Sequence, residues 1–285
     1  MTAPPVIVDS STDQPRASHG DVDAVAFDHV CLAFDDKVVL EDMSFRLRPS
    51  HMMVFLGASG AGKSTVLRLI LGLLKPDAGR IYVEGQPIEQ MRERDLLAVR
   101  TNMGMVFQEG ALFDSFTVRE NTGYRLYEET DLPIPEVDRR VAEVLRYVGL
   151  EELGDRMPSE LSGGQRRRVA IARAIASKPR LILYDEPTTG LDPLTALTID
   201  HEIIKLRDLD GVTSIIVTHQ LRDAFYIATH TVTRDATGRL TFSEAPAAKA
   251  GETTFIMIKD GRIAFEGSAD ALRRSDDSYL KAFLS

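Results

Sequence analysis

The chemistry of this chain begins with Gly57-Ala58-Ser59-Gly60-Ala61-Gly62-Lys63-Ser64, followed by Thr65. The pattern G-x-x-x-x-G-K-[ST] belongs to a loop that wraps phosphate. Glycines let the backbone approach an anion closely with its N–H groups turned inward. A helix starting at the end of the loop adds its positive N-terminal end. Lys63 is placed to reach β- and γ-phosphates, and the Ser64 hydroxyl is a ligand for Mg²⁺. The candidate phosphate-binding residues are therefore Gly57, Ser59, Gly60, Ala61, Gly62, Lys63, Ser64 and Thr65. An apolar run before the loop, residues 52–56, and a helical pattern after it supply the context that separates this motif from a chance glycine-rich turn.

A second chemical feature is the apolar run Leu181-Ile182-Leu183-Tyr184, which ends in Asp185-Glu186. Ligand sites in parallel sheets lie beyond the carboxyl ends of strands. Asp185 there suits the Mg²⁺ shell. Glu186 suits a base that orients or deprotonates a water. Taken alone, the pair reads as a solvated turn before Pro187, and the phosphate loop makes it a hydrolase signal. A third feature, Leu161-Ser162-Gly163-Gly164-Gln165, has the S-x-x-Q spacing of a capping box. Its two glycines expose N–H groups at another helix start, a second anion-binding end. One chain has little use for two such ends on a single nucleotide.

Residues 161–165 resemble the signature motif of the ATP-binding subunits of ABC transporters, and the whole motif series is similar to that family over about residues 24–270. The resemblance implies an α/β fold. Its core is a P-loop NTPase (RecA-like) domain with a mainly parallel sheet, joined by an N-terminal antiparallel β subdomain and a helical subdomain. It implies ATP hydrolysis with ATP and Mg²⁺ as ligands. Phe34 takes the place of the adenine-stacking aromatic, and Gln108 that of the glutamine that senses the metal and the permease. Asp192, in Gly190-Leu191-Asp192, matches the D-loop, and His219 the switch histidine at the γ-phosphate. Ser162, Gly163, Gly164 and Gln165 would meet the nucleotide held by a second copy. The implied assembly is a head-to-tail homodimer with ATP sandwiched between subunits, docked on an integral-membrane permease at the cytoplasmic face of the inner membrane.

Residues 110–115 and the C-terminal stretch 276–284 are similar to the subgroup that serves MCE-type, Mla-like lipid transporters. That resemblance adds phospholipid as cargo, with an MCE-domain protein and a small regulatory subunit as partners. A generic importer of polar solutes is the alternative. A soluble ABC protein acting on ribosomes or DNA is a third class. Such translation factors carry two ATP domains and the DNA-repair relatives a long coiled coil; this chain shows one domain and no sustained heptad run.

The elements that must position these residues follow from periodicity. Short alternating segments between residues 25 and 47 predict a small antiparallel sheet, with a turn at Asp35-Asp36. Strands are expected at 52–56, 81–83, 103–107, 181–184, 214–217 and 255–258, and helices at 64–74, 135–148 and 166–176. Residues 109–165 read as a helical subdomain. Residues 231–253 form an added polar segment with a turn near Thr237-Gly238, and Asp260-Gly261 a hairpin turn. A C-terminal tail helix is expected at 271–285, and residues 1–22, rich in Ser, Thr, Asp and Pro, as a flexible tail.

The net charge of −9 argues against a nucleic-acid binder, so Arg166, Arg167 and Arg168 are expected on a solvated helix face. The single cysteine, Cys31, excludes an intramolecular disulfide and reads as a small apolar residue in a strand. No stretch approaches ~20 apolar residues, so no membrane span is expected, and the first residues carry no secretory signal pattern.

Overall fold

The computed structural model describes residues 22–284; the tail expected over residues 1–22 lies outside the described residues except for Val22. Strands β1 (Val25–Phe34) and β2 (Lys37–Leu47) form a hairpin in which Phe27 faces Phe45. Their rings stack at 4.5 Å. β3 (Met52–Leu56) is buried along its whole length, as a central parallel strand must be. Helix α1 (Lys63–Ile70) follows the glycine-rich loop. It ends before the expected Leu74 because Gly72 adopts a left-handed conformation, φ +64°, packed against Leu96.

β4 (Ala78–Val83) and the two-residue β5 (Gln86–Pro87) complete a four-stranded antiparallel sheet in the order β2-β1-β4-β5. Helix α2 (Glu93–Thr101) leads to β6 (Met103–Val106). Residues 109–165 then hold α3 (Val118–Glu129), α4 (Ile134–Tyr147) and two short 3₁₀ turns. Thr117 and Glu120 form a complete capping box at the start of α3.

Helix α5 (Gly163–Ala176) feeds β7 (Leu181–Asp185), and α6 (Pro193–Asp208) feeds β8 (Thr213–Val217). After α7 (Leu221–Thr229), the added segment folds as a hairpin of β9 (His230–Arg234) and β10 (Leu240–Glu244), followed by α8 (Ala247–Ala250). β11 (Thr253–Lys259) and β12 (Arg262–Gly267) turn at Asp260-Gly261. The chain then forms α9 (Ala269–Arg273) and α10 (Ser278–Leu284). The main sheet runs β12-β11-β3-β8-β7-β6, and only β12 is antiparallel to its neighbour.

Alternation along the buried strands builds two cores. Val54, Leu56, Tyr184 and Ile216 face the helical side with α5 and α6. Met53, Phe55, Leu183 and Ile215 face α1 and the antiparallel sheet. The sheet is therefore covered on both faces, and the loops after β3, β6, β7 and β8 share one edge.

Candidate active site

That shared edge carries the phosphate loop. Gly62 caps α1 with φ +97°, and a side chain there would meet Leu40 at 2.9 Å and the Val39 carbonyl at 3.0 Å. Only glycine satisfies both the torsion and the space. The Lys63 ammonium, 6% exposed, donates to the carbonyls of Gly57 (2.8 Å) and Ala58 (3.0 Å). Burial lowers its pKa, and the nearby Glu186 and Asp185 carboxylates oppose that shift.

β7 lies beside β8 and ends with both acids at the loop. Ser64 Oγ donates to Asp185 Oδ1 at 2.9 Å. Burial raises the Asp185 pKa, the Ser64 hydrogen bond opposes it, and the Glu186 charge adds to it. Glu186 has a left-handed backbone, φ +51°, uncommon for a non-glycine residue. Its N–H donates to Val217 O at 2.8 Å, which fixes the kink at the end of β7 against β8. Its carboxylate is 4.0 Å from Lys63 Nζ and 2.9 Å from His219 Nδ1. It also accepts from Thr189 Oγ1 (2.9 Å), Thr218 Oγ1 (3.3 Å) and the His219 N–H (3.3 Å). Sequence reasoning missed both threonines. Their only signal was that each lies within three residues of Glu186 or His219.

These groups border a cleft of about 760 Å³ lined by Phe34, Gly57, Ser59, Gly60, Gly62, Lys63, Ser64, Thr65, Gln108, Glu186 and His219. Phe34 stands 47% exposed at its rim. Ala61 sits in the loop with its N–H on Ala58 O at 3.2 Å. Ser64 and Asp185 are hydrogen-bonded to each other and Gln108 lines the same cleft as Ser64; hydroxyl, carboxylate and amide oxygens are the donor types that fit Mg²⁺.

The structure does not bring every predicted residue to this cleft. Ser162 and Gln165 form both arms of the capping box, at 3.2 Å and 2.8 Å. With Gly164 they line a separate hollow of about 190 Å³ shared with Leu194 and Thr195. Gly163 packs towards Leu191. Asp192 caps α6 by accepting from the N–H groups of Leu194 and Thr195, both at 3.1 Å. One chain thus carries two separate hollows, the phosphate-loop cleft and the one at the start of α5.

The three arginines correct an expectation. They do not form a solvated face. Arg167 is 7% exposed and donates to Phe107 O (2.9 Å) and Thr189 O (3.2 Å), tying α5 to the loops after β6 and β7. Arg166 donates to Leu161 O at 2.6 Å, and Arg168 to Val148 O at 3.0 Å. Carbonyls left over at element ends need donors, and guanidinium groups supply them.

A phosphate loop, a strand-end Asp-Glu pair and a histidine at the next strand end, all at one edge of a parallel sheet, define a nucleoside triphosphate hydrolase. The ABC transporter family model matches residues 40–189. The chain is 36% identical over 249 residues to the intermembrane phospholipid transport system ATP-binding protein MlaF of Escherichia coli K12, covering 87% of this chain and 84% of that protein. It is 33% identical over 260 residues to the Fe(3+) ions import ATP-binding protein FbpC of Photobacterium profundum, covering 90% and 65%. Among solved structures, it superposes on the dimeric ATP-binding cassette MJ0796 bound to ADP and phosphate with a TM-score of 0.70 and 28% identity, covering 86% and 98%. The chain belongs to the ABC transporter family of ATP-binding subunits. It binds ATP and hydrolyses it to power a transporter. No helix among the described residues is long and apolar enough to cross a membrane.

Proposed function

We propose that two copies of this chain close head to tail over two ATP molecules and drive phospholipid movement through a membrane permease. The observation that carries this reading is the separation within one chain of the Lys63-Glu186-His219 cleft from the Ser162-Gly164 hollow. Each half-site lacks what the other has, so a second copy completes it. The dimeric cassette to which the chain is similar supports the same arrangement.

In this scheme the phosphate loop and Lys63 hold the triphosphate of ATP, and Phe34 packs on its base. Ser64, Gln108 and Asp185 would hold Mg²⁺, which would supply positive charge against the phosphates. Glu186 orients the attacking water and takes its proton, worth ~10²–10⁴-fold in rate. Thr189, Thr218 and His219 fix that carboxylate. His219 also meets the γ-phosphate. Ser162, Gly163, Gly164, Gln165 and Asp192 face the nucleotide of the other subunit. Hydrolysis then removes the phosphate that bridges the dimer.

The permease seats on a groove of about 380 Å³ bordered by Leu97, Phe107, Phe113 and Tyr124. Leu97 is 56% exposed, and Phe107 and Phe113 are each 41% exposed. The likeness to MlaF across most of both chains supports phospholipid as cargo. The resemblance of residues 110–115 and 276–284 adds an MCE-domain protein and a small regulatory subunit to the complex, peripheral at the cytoplasmic face of the inner membrane. The likeness to FbpC favours a second reading, import of a polar solute. Nucleic acid is not a partner in either.

Two experiments test this. Glu186→Gln is expected to bind ATP, lose at least a hundredfold in turnover and accumulate as a dimer by light scattering; normal turnover would overturn the role of Glu186. Mild-detergent purification of the tagged protein from its native membranes, with mass spectrometry, is expected to recover a permease, an MCE-domain protein and phospholipid. A permease with a solute-binding protein removes the lipid assignment.

A further inference from the structure

The last helix reaches the ATP cleft from more than two hundred residues away in sequence. Asp277 starts α10 by accepting from the N–H groups of Tyr279 (2.8 Å) and Leu280 (3.0 Å). Leu280, 2% exposed, anchors it in the helical-side core. The Lys259 ammonium sits 4.5 Å from the centre of the Tyr279 ring. Lys259 ends β11, which runs parallel to β3, the strand that opens into the phosphate loop. The carbonyl before it, Ile258 O, lies 2.7 Å from where a Gly57 side chain would begin. The anchor of α10 is therefore beside the loop.

One turn beyond Tyr279, Phe283 falls on the same helix face, with ring centroids 6.4 Å apart. There it lines the same cleft as Phe34, Ser59, Lys63 and His219. It is half-buried, so part of the ring remains open. Two partly exposed aromatic rings thus border one space that takes a purine nucleotide. Aromatic faces gain by packing on a heteroaromatic base or on the apolar edge of a ribose.

We propose that Phe283 is a nucleotide-contacting residue, by which α10 adds an aromatic surface to the ATP held by the phosphate loop of the same chain. The proposal rests on the assignment of the cleft as the ATP site. The C-terminal segment then has two tasks in one: its Leu280 end belongs to the core and its Phe283 end senses whether nucleotide is present.

The 285-residue chain has no tryptophan, so Phe283→Trp places a single reporter at the site. Acrylamide quenching of the introduced indole is measured with and without ADP, at a protein concentration shown by sedimentation to be monomeric. ADP is expected to protect the indole, and Lys63→Ala in the same background is expected to abolish the protection. In parallel, Phe283→Ala is expected to weaken binding of a fluorescent N-methylanthraniloyl-ATP by about threefold to tenfold, with Phe283→Tyr retaining it. Protection that appears only in the dimer overturns the contact within one chain. Unchanged quenching together with normal nucleotide affinity overturns the proposal altogether. Loss of nucleotide binding by the unsubstituted chain would instead overturn the assignment of the cleft.

Discussion

Replacing Asp200 with asparagine isolates one buried proton. Asp200 lies on α6, 1% exposed, and its Oδ1 has no hydrogen-bond partner among the described residues. Burial and the negative charge of Asp223 on α7 push its pKa up to about 8, against an opposing pull from Arg222. Arg222 itself is committed to Asp223, at 2.7 Å. In the folded state Asp200 therefore keeps its proton across a range where the unfolded chain, with a carboxyl near 3.8, has released it. The unfolded state binds fewer protons, so stability falls as pH rises from about 4 to about 8. Within that window the slope is that of one proton, about 1.4 kcal/mol per pH unit.

Asparagine has nearly the same shape, stays neutral and carries no such slope. The assay is urea unfolding of both proteins at pH 5, 6 and 7. The stability of Asp200→Asn relative to the parent is expected to rise by about 3 kcal/mol between pH 5 and pH 7, two units at the one-proton slope. Other titrating groups cancel in that difference. Parallel curves, with a constant offset at all three pH values, would refute the assignment of a neutral Asp200 in the fold.

Three further outcomes are expected. In Gly164→Ala the new methyl would fall 2.2 Å from Thr195 Cγ2, and Thr195 is held by Asp192 at 2.6 Å, so calorimetry should show a loss of about 1–3 kcal/mol. Adding Thr195→Ser removes the clashing methyl and should restore most of it. Arg167→Met leaves the carbonyls of Phe107 and Thr189 without their donor and should cost about 2–3 kcal/mol in urea melts, and Arg167→Lys should not rescue it because one ammonium lacks the planar fork. Phe242→Ala removes the ring stacked 3.7 Å from His201, so hydrogen exchange in residues 231–243 should quicken by about tenfold while the phosphate loop stays unchanged.

What could be read from the sequence was local. The phosphate loop, the Asp185-Glu186 pair and the capping box at Ser162 are contiguous, and their geometry follows from backbone torsion and strand ends. In the added segment the turn at Thr237-Gly238 was legible, where Gly238 has φ +85°, but the paired strands 230–234 and 240–244 on either side of it were not. What stayed hidden depends on contacts between distant segments. Arg167 reads as solvated because its carbonyl partners lie 60 and 22 residues away. Asp200 and Arg207 on one side of α6, and Glu202 and Lys205 on the other, are buried ionisable residues that no apolar periodicity could reveal. Phe283 lies in the C-terminal stretch 276–284 that resembles the subgroup, but nothing in its spacing points to nucleotide; the packing of Leu280 and the Lys259–Tyr279 contact bring it to the cleft.

The buried ionisable side chains of α6 tie it to α4, α7 and the added hairpin. Its first turn is capped by Asp192 beside the Ser162-Gly164 hollow. Its middle holds Asp200 against α7, the helix that begins two residues after His219. Further along, Lys205 pairs with Glu202 at 2.6 Å, donates to Tyr147 O on α4 at 2.9 Å and lies over the Tyr147 ring. At its end Arg207 donates to Ile227 O and His230 O, and Asp208 accepts from Thr231 and Val232 of the added hairpin. The Lys205, Arg207 and Asp208 contacts are buried or half-buried polar contacts, costly to break without replacement partners. A displacement at the Asp192 end is therefore cheaper as a movement of α6 with α4, α7 and the hairpin together than as a bend within it. In the proposed dimer such a unit links the subunit interface to α4 of the helical subdomain.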